Sequence, residues 1–307
     1  MELGWEGCFE RAATLLPRHL RQGLLTLPPE QKAQVEEIRM RAGQPLFLNI
    51  GGTEVTVAEH AIVMENDLRL VLEIASQASV HTVLDKVRNG FLTVRGGHRI
   101  GICGTAVVRG GTVESVRYIT SLAIRVAKEA HGVSEKLIPR LAEDGVLKNT
   151  LILAPPGQGK TTLLRDMIRA LSNGAAGRPL RVGVADERGE LAAVYHGEAQ
   201  MDLGAHTDVM DACSKADGLM ILLRGMNPQV LAMDEITAAE DLEALLTAAG
   251  CGVSLLATAH GTTPRGMMSR PLYRRLLEER LFQRFVEVTN KNGVREYRIW
   301  KEDEVLC

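Results

Sequence analysis

Eight consecutive residues of the sequence have the composition of a phosphate-binding loop. The segment Ala154-Pro-Pro-Gly-Gln-Gly-Lys160-Thr161 matches the pattern GxxxxGK[ST], except that alanine replaces the first glycine. Its glycines let backbone N–H groups approach phosphate, Lys160 would reach the outer phosphates of ATP, and the Thr161 hydroxyl would bind Mg²⁺. The alternative, a plain turn before a helix, does not require Gly-Lys-Thr. The predicted nucleotide-binding residues are Pro156, Gly157, Gln158, Gly159, Lys160, Thr161 and Thr162.

Two neighbouring acids follow a short apolar run. Residues 230–233 are Val-Leu-Ala-Met, and Asp234 and Glu235 come directly after them. This pattern is typical of a buried strand that ends beside a metal-bound triphosphate. Asp234 would join Thr161 in holding Mg²⁺, while Glu235 would orient and deprotonate the attacking water. Surface carboxylates at a strand end are the alternative. We predict ATP hydrolysis, with Glu235 and Lys160 as catalytic residues.

Two further apolar runs end in polar residues. One run, 180–185, precedes an acidic stretch that contains Glu187, and the other, 253–257, precedes His260. Ligands of open parallel sheets bind at the carboxyl ends of the strands, so these residues are candidates for the same site. We predict catalytic roles for Glu187 and His260, with His260 sensing the γ-phosphate. A solvated acidic loop and a locally hydrogen-bonded histidine are the alternatives.

The candidate residues need a parallel sheet covered by helices to bring them together. From Thr150 onward, short apolar runs alternate with helical stretches, which is typical of such a sheet. A final pair of runs around Lys291-Asn-Gly293 predicts a terminal hairpin. We therefore predict an α/β domain over residues 149–307. Its predicted strands are 151–153, 180–185, 230–233, 253–257, 285–289 and 294–300.

The first part of the chain has a different pattern. Gly-Gly pairs at 51–52 and 96–97 separate apolar runs as in two-residue β-hairpins, and a third pair at 110–111 marks another turn. We predict a smaller α+β domain over 1–127, followed by a linker with one helix over 128–148. The predicted helices are 9–16, 29–41, 67–78 and 83–88, and the predicted strands are 46–50, 53–57, 91–95 and 98–102.

Length and composition argue against several classes of protein. A chain of 307 residues exceeds one typical core, and 45% hydrophobic with 24% charged residues is ordinary globular usage. Apolar stretches fall far short of the ~20 residues that cross a bilayer, and the acidic N-terminus does not resemble a secretory signal. Five cysteines without a CxxC pair do not suggest a disulfide framework or a zinc site. A net charge of −2 and 4% aromatic residues do not favour a nucleic-acid partner. Since the sequence shows neither a membrane-spanning stretch nor a secretory signal, we expect a cytoplasmic protein.

One segment nevertheless carries a local excess of positive charge. Between residues 88 and 125 there are six arginines and one acid, Glu114. Solvated arginines on edge strands are the plain interpretation. In a ring motor, Arg117 or Arg125 would instead reach nucleotide phosphates from a domain interface or a neighbouring subunit, as an arginine finger. In a nucleic-acid-dependent motor, the same segment would bind backbone phosphates. Charge alone leaves these alternatives open.

The candidate motifs occur in a specific order. The phosphate-binding loop is followed by the acidic box 186–190, the pair Asp234-Glu235 and the histidine box Ala257-Thr-Ala-His260. This order resembles that of the secretion and pilus-motor ATPases. The resemblance implies an α+β N-terminal domain, a RecA-like P-loop ATPase core, and a homo-oligomeric, hexameric ring whose nucleotide sites lie between the domains.

Four segments carry a closer similarity over the whole chain. They are Glu37-Ile-Arg-Met-Arg41, Val94-Arg-Gly-Gly-His-Arg-Ile-Gly-Ile-Cys-Gly104, Ser121-Leu-Ala-Ile-Arg125 and the phosphate-binding loop. In these segments the chain is similar to the stage III sporulation AA family of endospore-forming bacteria. The similarity implies a mother-cell ATPase that energises assembly of, or transport through, the channel joining mother cell and forespore. It also implies membrane-protein partners and a peripheral position at the membrane. A nucleic-acid-dependent P-loop motor and a nucleotide-dependent scaffold with little turnover are the alternatives.

Overall fold

A computed structural model of the chain describes residues 5–76, 91–291 and 294–306. The chain divides into two compact units. The first unit consists of Met1–Glu129 and Ala193–Gln200, and the second of Ala130–Ala192 and Met201–Cys307. Residues 193–200, which the sequence pattern had assigned to the second domain, therefore group with the first unit. Among the described residues, no helix combines the length and the apolar character required to cross a membrane.

The first unit is built on a six-stranded antiparallel sheet with the strand order β3-β2-β1-β6-β5-β4. Its helices are α1 (Trp5–Ala13), α2 (Arg18–Leu25), α3 (Pro29–Gln34) and α4 (Glu65–Ala75). Its strands are β1 (Val35–Arg41), β2 (Pro45–Ile50), β3 (Thr53–Ile62), β4 (Phe91–Thr93), β5 (Arg99–Arg109) and β6 (Thr112–Arg125). One face of the sheet is buried, because Ile38 of β1 and Ile124 of β6 belong to the same apolar cluster as Leu68 of α4.

The hairpins predicted in this unit are confirmed. Gly51 and Gly52 have φ values of +59° and +84°, and Gly110 and Gly111 have +59° and +81°. Both central residues of a type I′ turn require positive φ, which glycine adopts at low cost. The helices predicted at 9–16 and 67–78 are found as α1 and α4. Helix α2 was not predicted, and the helix predicted at 83–88 lies outside the described residues.

The helix predicted at 29–41 is wrong beyond Gln34. Strand β1 begins at the next residue and lies between β2 and β6, with which it pairs on both edges. The glutamates and arginines of the segment favour a helix locally, but Ile38 and Met40 alternate along the strand and both are fully buried. Pairing on two edges and burial of one face outweigh the local helix propensity.

The second unit is built on a seven-stranded sheet with the order β11-β10-β12-β13-β9-β14-β15. Its first six strands are parallel, and β15 pairs antiparallel with β14. The strands are β9 (Thr150–Ala154), β10 (Val182–Asp186), β11 (Thr207–Asp211), β12 (Val230–Met233), β13 (Ser254–His260), β14 (Arg284–Lys291) and β15 (Val294–Lys301). The main helices are α6 (Lys160–Ser172), α7 (Lys215–Gly225), α8 (Ala239–Gly250) and α9 (Pro271–Glu278). Every residue of β9, β10 and β12 is buried, as expected for a parallel sheet covered on both faces.

All six strands predicted for the seven-stranded sheet are confirmed, and one strand of that sheet, β11, was missed. β11 has only two apolar residues, and as the edge strand it is only partly buried, so it lacks the apolar run that identified the others. The single helix predicted at 128–148 is the short α5 (Ile138–Leu141). It leads into a small hairpin of β7 (Ala142–Glu143) and β8 (Val146–Leu147). A 3₁₀ helix (Arg265–Ser269) and α10 (Glu302–Leu306) complete the unit.

The register of the parallel strands brings the candidate residues to one edge of the sheet. His260 is paired with Ala154, the residue at which the phosphate-binding loop begins. Met233, which precedes the acid pair, is paired with Ala257 on one side and with Ala185 on the other. The polar residues that follow β9, β10, β12 and β13 therefore share one sheet edge, where ligands of open α/β folds bind.

Candidate nucleotide-binding site

The loop between β9 and α6 has the backbone geometry of an anion cradle. Gly157 and Gly159 have φ values of +75° and +95°, a region that glycine adopts without strain. Helix α6 begins at Lys160, so its first N–H groups open onto the loop. Pro156 and Gly157 are exposed, while Gln158, Thr161 and Thr162 are half-buried. The predicted binding residues are thus arranged along one loop and the first turn of one helix.

His260 lies between Lys160 and Glu235 and contacts both. The Lys160 Nζ atom lies 3.0 Å from His260 Nδ1, and His260 Nε2 lies 2.9 Å from Glu235 Oε1. An ammonium group only donates, so Nδ1 accepts, and a neutral His260 carries its proton on Nε2, the ring nitrogen that faces Glu235. Lys160 is 8% exposed, and burial lowers its pKa while the Asp234 and Glu235 carboxylates oppose that shift. The histidine thereby links the P-loop lysine to the predicted base.

Asp234 is aligned by two threonines. Thr161 Oγ1 donates to Asp234 Oδ2 at 2.7 Å, and Thr258 Oγ1 donates to Asp234 Oδ1 at 2.6 Å. Mg²⁺ prefers oxygen ligands and is commonly held by one or two protein oxygens, with substrate phosphates and water completing its shell. The hydroxyl of Thr161 and the carboxylate of Asp234 fit that donor set. The structure brings together the two residues predicted to hold the metal.

The backbone of Glu235 is strained and is held by a buried lysine. Its φ of +51° is unusual for a residue with a side chain, and such strain concentrates at functional sites. Lys215 Nζ donates to the Glu235 carbonyl oxygen at 2.6 Å and to Thr237 Oγ1 at 2.9 Å. It also lies 3.3 Å from Asp241 Oδ2. Sequence inspection missed Lys215, because it stands at the start of α7 in no recognisable motif.

The acidic box contains one buried acid, Asp186, and one partly exposed acid, Glu187. The buried carboxylate of Asp186 accepts hydrogen bonds from the backbone N–H groups of Glu190, Leu191 and Ala192 at 2.8–3.2 Å. Asp186 thus shapes the loop that follows β10, and burial raises its pKa against the effect of these N–H groups. Glu187 lines the same cavity as Asp234 and Glu235. Its half-exposed carboxylate lies 3.9 Å from Lys215 Nζ.

The two candidates for an arginine finger belong to the first unit. Both lie in β6, where Arg117 is exposed and the Arg125 Nε atom lies 3.5 Å from Glu37 Oε2 of β1. The phosphate-binding loop belongs to the second unit. The arginine-finger role therefore stays a prediction.

Comparison with known families decides to which family the chain belongs. The family described as sporulation stage III, protein AA matches residues 10–302, which is nearly the whole chain. The chain belongs to this family. Stage III sporulation protein AA of Bacillus subtilis (strain 168) is 39% identical to it over 291 residues, which cover 92% of this chain and 91% of that protein. The family membership predicted from the sequence is confirmed.

Solved structures show that this family member shares the fold of an ATPase, DotB, and of a pilus retraction motor, PilT. The Legionella pneumophila ATPase DotB superposes with a TM-score of 0.58 at 15% identity, covering 94% of this chain and 83% of that chain. The pilus retraction motor PilT with bound ADP superposes with a TM-score of 0.58 at 16% identity, covering 89% and 81%. At such low identity the likeness establishes the fold alone. It confirms the predicted fold class, a P-loop ATPase core with a smaller α+β region before it.

Proposed function

We propose that the chain is a Mg²⁺-dependent ATPase that hydrolyses ATP to ADP and phosphate. The observation that carries this proposal is the meeting of three predicted elements at one sheet edge. Lys160 lies at the N-terminus of α6, Thr161 is hydrogen-bonded to Asp234, and Glu235 Oε1 lies 2.9 Å from His260 Nε2. These groups come from different strand ends and loops, and the stability of the individual elements does not require that they meet. Their convergence therefore supports a function in nucleotide binding and hydrolysis.

The P-loop residues would bind and orient the nucleotide. Backbone N–H groups around Gly157 and Gly159 would donate to the inner phosphates, and Lys160 would exchange its contact with His260 for an outer phosphate. Thr161 and Asp234 would hold Mg²⁺, which supplies a positive charge that stabilises the transferring phosphoryl group. Positioning and charge stabilisation account for most of the catalysis in this class of reaction.

Glu235 would act as the general base. Its Oε1 atom lies 2.9 Å from His260 Nε2, which leaves Oε2 to take a proton from the attacking water. When Lys160 turns to the phosphate, the Nδ1 atom of His260 loses its donor. His260 would then respond to nucleotide binding and pass that change to Glu235, which gives the predicted γ-phosphate sensor a physical basis.

The family and the fold support a wider proposal about the role of hydrolysis. The chain belongs to a sporulation family, and its fold is that of the ATPase DotB and of a pilus retraction motor. We infer that ATP turnover energises assembly of, or transport through, the channel between mother cell and forespore. The protein would act as a hexameric ring in the mother-cell cytoplasm and would reach the membrane through protein partners.

Two variants test the ATPase proposal. Glu235→Gln keeps the shape of the side chain but cannot accept a proton, so we expect ATP binding to persist while hydrolysis falls by about 10²–10⁴-fold. Lys160→Ala removes the mobile charge at the phosphates, so we expect loss of ATP binding with the fold retained. Phosphate release measures hydrolysis, and calorimetric titration measures binding.

The same measurements separate the alternatives. Equal, barely detectable turnover in the wild type and in Glu235→Gln, with ATP bound by both, would favour a scaffold. Turnover that rises several-fold with single-stranded nucleic acid would favour a nucleic-acid-dependent motor. Wild-type binding and turnover in Lys160→Ala would refute the P-loop assignment itself.

A further inference from the structure

Arg295 of the edge strand β15 packs directly against the phosphate-binding loop. A Cβ atom placed on Gly159 would lie 2.7 Å from Nε, 3.0 Å from Cζ and 3.1 Å from Nη2 of Arg295. The guanidinium group therefore occupies the space in which a side chain at Gly159 would stand. Glycine is required there twice, for its φ of +95° and for the close approach of this arginine. The contact joins the last strand of the unit to the residue that precedes Lys160.

The guanidinium has a buried donor without an acceptor. Arg295 Nε is buried and makes no hydrogen bond within the described part of the chain. Buried donors in folded proteins almost always have partners, so an orphan donor beside a predicted ligand site indicates an acceptor supplied by the ligand. Because a guanidinium group is a cation, that acceptor is expected to be an anion.

An acid that acts on the same tyrosine as Arg295 already has its own hydrogen-bond donors. Burial raises the pKa of Tyr297, while Arg295 lowers it and Asp166 raises it, so both charges act on the same tyrosine. The Asp166 oxygens accept hydrogen bonds from two backbone N–H groups, from one hydroxyl and from a guanidinium group. The donors are Gly132 N, Ser134 N, Ser134 Oγ and Arg169. Asp166 therefore has donors of its own, and Arg295 is not one of them.

We propose that Arg295 is a nucleotide-binding residue and that its acceptor is a phosphate oxygen of the nucleotide held by the phosphate-binding loop. The proposal rests on the proposed ATP site. A guanidinium group matches phosphate oxygens in geometry and charge better than an ammonium group does. The loop N–H groups beside Gly159 cradle the α- and β-phosphates, so the contact concerns a phosphate that ADP and ATP share. Unlike an arginine finger supplied by a neighbouring subunit, Arg295 comes from the same chain as the loop.

A charge-matched pair of variants tests the proposal in the full-length chain. Arg295→Ala is compared with Arg298→Ala, which removes an arginine from the same strand. The Arg298 guanidinium lies over the Trp300 ring at 3.5 Å, and it projects from the opposite face of the strand because the two positions differ by an odd number. We expect Arg295→Ala to raise the dissociation constants of ADP and ATP by about 10-fold or more, by loss of a charged hydrogen bond, and Arg298→Ala to leave both within about twofold.

Arg295→Lys covers the case in which the alanine variant does not fold. It keeps the charge and most of the stem but lacks the Nε donor, so we expect a smaller, still measurable loss of ADP affinity. A merely structural role predicts a lower Tm with an unchanged rise in Tm on adding ADP, whereas a phosphate contact predicts a smaller rise. Wild-type ADP affinity in folded Arg295→Ala, or in Arg295→Lys if only that variant folds, would overturn the proposal.

The result also separates this proposal from the one on which it rests. If the wild type binds neither ADP nor ATP, and Lys160→Ala changes nothing, then the nucleotide site itself is wrong. If the wild type binds ADP and Lys160→Ala abolishes binding while Arg295→Ala does not weaken it, then only the role of Arg295 is wrong.

Discussion

Glu235, the predicted base, is held at three of its atoms. His260 Nε2 lies 2.9 Å from its carboxylate, and Thr258 Oγ1 accepts its backbone N–H at 2.9 Å. Lys215 Nζ binds its carbonyl oxygen at 2.6 Å, which supports the positive φ of +51°. A carboxylate that must meet one water molecule gains from such restraint, because small misplacements of catalytic groups cost large factors in rate. We therefore infer that Lys215 is a positioning residue, which acts through the backbone carbonyl of Glu235 and not through its carboxylate.

We expect Lys215→Met to slow hydrolysis with little change in ATP affinity. Loss of the hydrogen bond to the strained carbonyl corresponds to roughly a 10- to 100-fold decrease in kcat. Lys215→Met also leaves Asp241 buried without its cation and should cost about 3 kcal/mol of stability. Phosphate release under saturating ATP and chemical denaturation measure the two effects.

A double variant separates positioning from stability. Asp241 also accepts the backbone N–H groups of Thr237 and Ala238, and an asparagine oxygen can keep those bonds. Lys215→Met with Asp241→Asn should recover most of the stability but not the turnover. Recovery of wild-type kcat in the double variant would show that Lys215 serves the fold alone.

At the scale of elements, the loop that connects β4 and β5 contains a buried histidine, His98. His98 is 1% exposed, and its Nδ1 atom accepts the backbone N–H of Ala127 at 3.1 Å. Its Nε2 atom is buried and makes no hydrogen bond to any residue that the structure describes. Burial, with a smaller effect of the Arg11 charge, lowers the pKa of His98 to about 4 from its ordinary value of 6.5. The hairpin therefore holds a neutral imidazole that cannot take a proton without loss of packing.

This histidine should make the first unit less stable in weak acid. Unfolded chain binds the proton below about pH 6.5, and the folded unit binds it only below about pH 4, so stability falls as the pH falls through this window. The full loss is roughly 3 kcal/mol. Trp5 lies in the first unit, so its fluorescence in a Trp300→Phe background reports the unfolding of that unit. His98→Asn keeps an acceptor near Nδ1 and should flatten the slope between pH 6.5 and 5; an unchanged slope would place the acid sensitivity elsewhere.

Sequence patterns predicted the strands that are buried on both faces well. They predicted poorly the strands that form only through pairing with neighbouring strands. β9, β10, β12 and β13 are continuous apolar runs because both of their faces are covered. β1 alternates with glutamate and arginine and was assigned to a helix, since only its neighbours β2 and β6 make it a strand. The half-buried edge strand β11 carries too few apolar residues to be recognised.

The candidate site likewise contains residues that a local motif predicts and residues that only the tertiary structure reveals. Lys160, Thr161, Asp234 and Glu235 stand in motifs whose spacing along the chain reflects one loop or one strand end. The remaining contacts depend on where separate elements meet. Lys215 reaches Glu235 from the start of α7, and Arg295 reaches Gly159 from a strand that lies 136 positions further along the chain. No local pattern marks such residues, because an arginine in an edge strand or a lysine at a helix start is ordinary.

At the scale of the whole molecule, the predicted arginine fingers connect activity to assembly. Arg117 and Arg125 belong to one unit and the phosphate-binding loop to the other. In the proposed hexameric ring, an arginine of one copy would complete the nucleotide site of another copy. Such an arginine stabilises charge that develops during phosphoryl transfer, so it contributes to turnover far more than to binding of ATP.

We expect Arg125→Ala to lower turnover by at least about 10³-fold if Arg125 is the finger, with ATP affinity nearly unchanged. Arg109→Ala is the control, because Arg109 lies in the adjacent strand β5 and pairs with Glu114 at 3.2 Å. Since Arg125 lies 3.5 Å from Glu37 Oε2, a purely structural role predicts instead a lower Tm with normal specific activity.

Mixing two inactive variants gives the decisive measurement. Lys160→Ala lacks the phosphate-binding lysine and Arg125→Ala lacks the finger, so neither should hydrolyse ATP alone. A mixed ring contains sites in which an intact loop of one copy meets an intact arginine of its neighbour, and these sites should restore part of the activity. Restored activity should fall on dilution as rings dissociate, because assembly follows mass action. A mixture that stays inactive, together with wild-type specific activity that is independent of dilution and comes from a demonstrated monomer, would show that each chain carries a complete site and that no arginine is shared between copies.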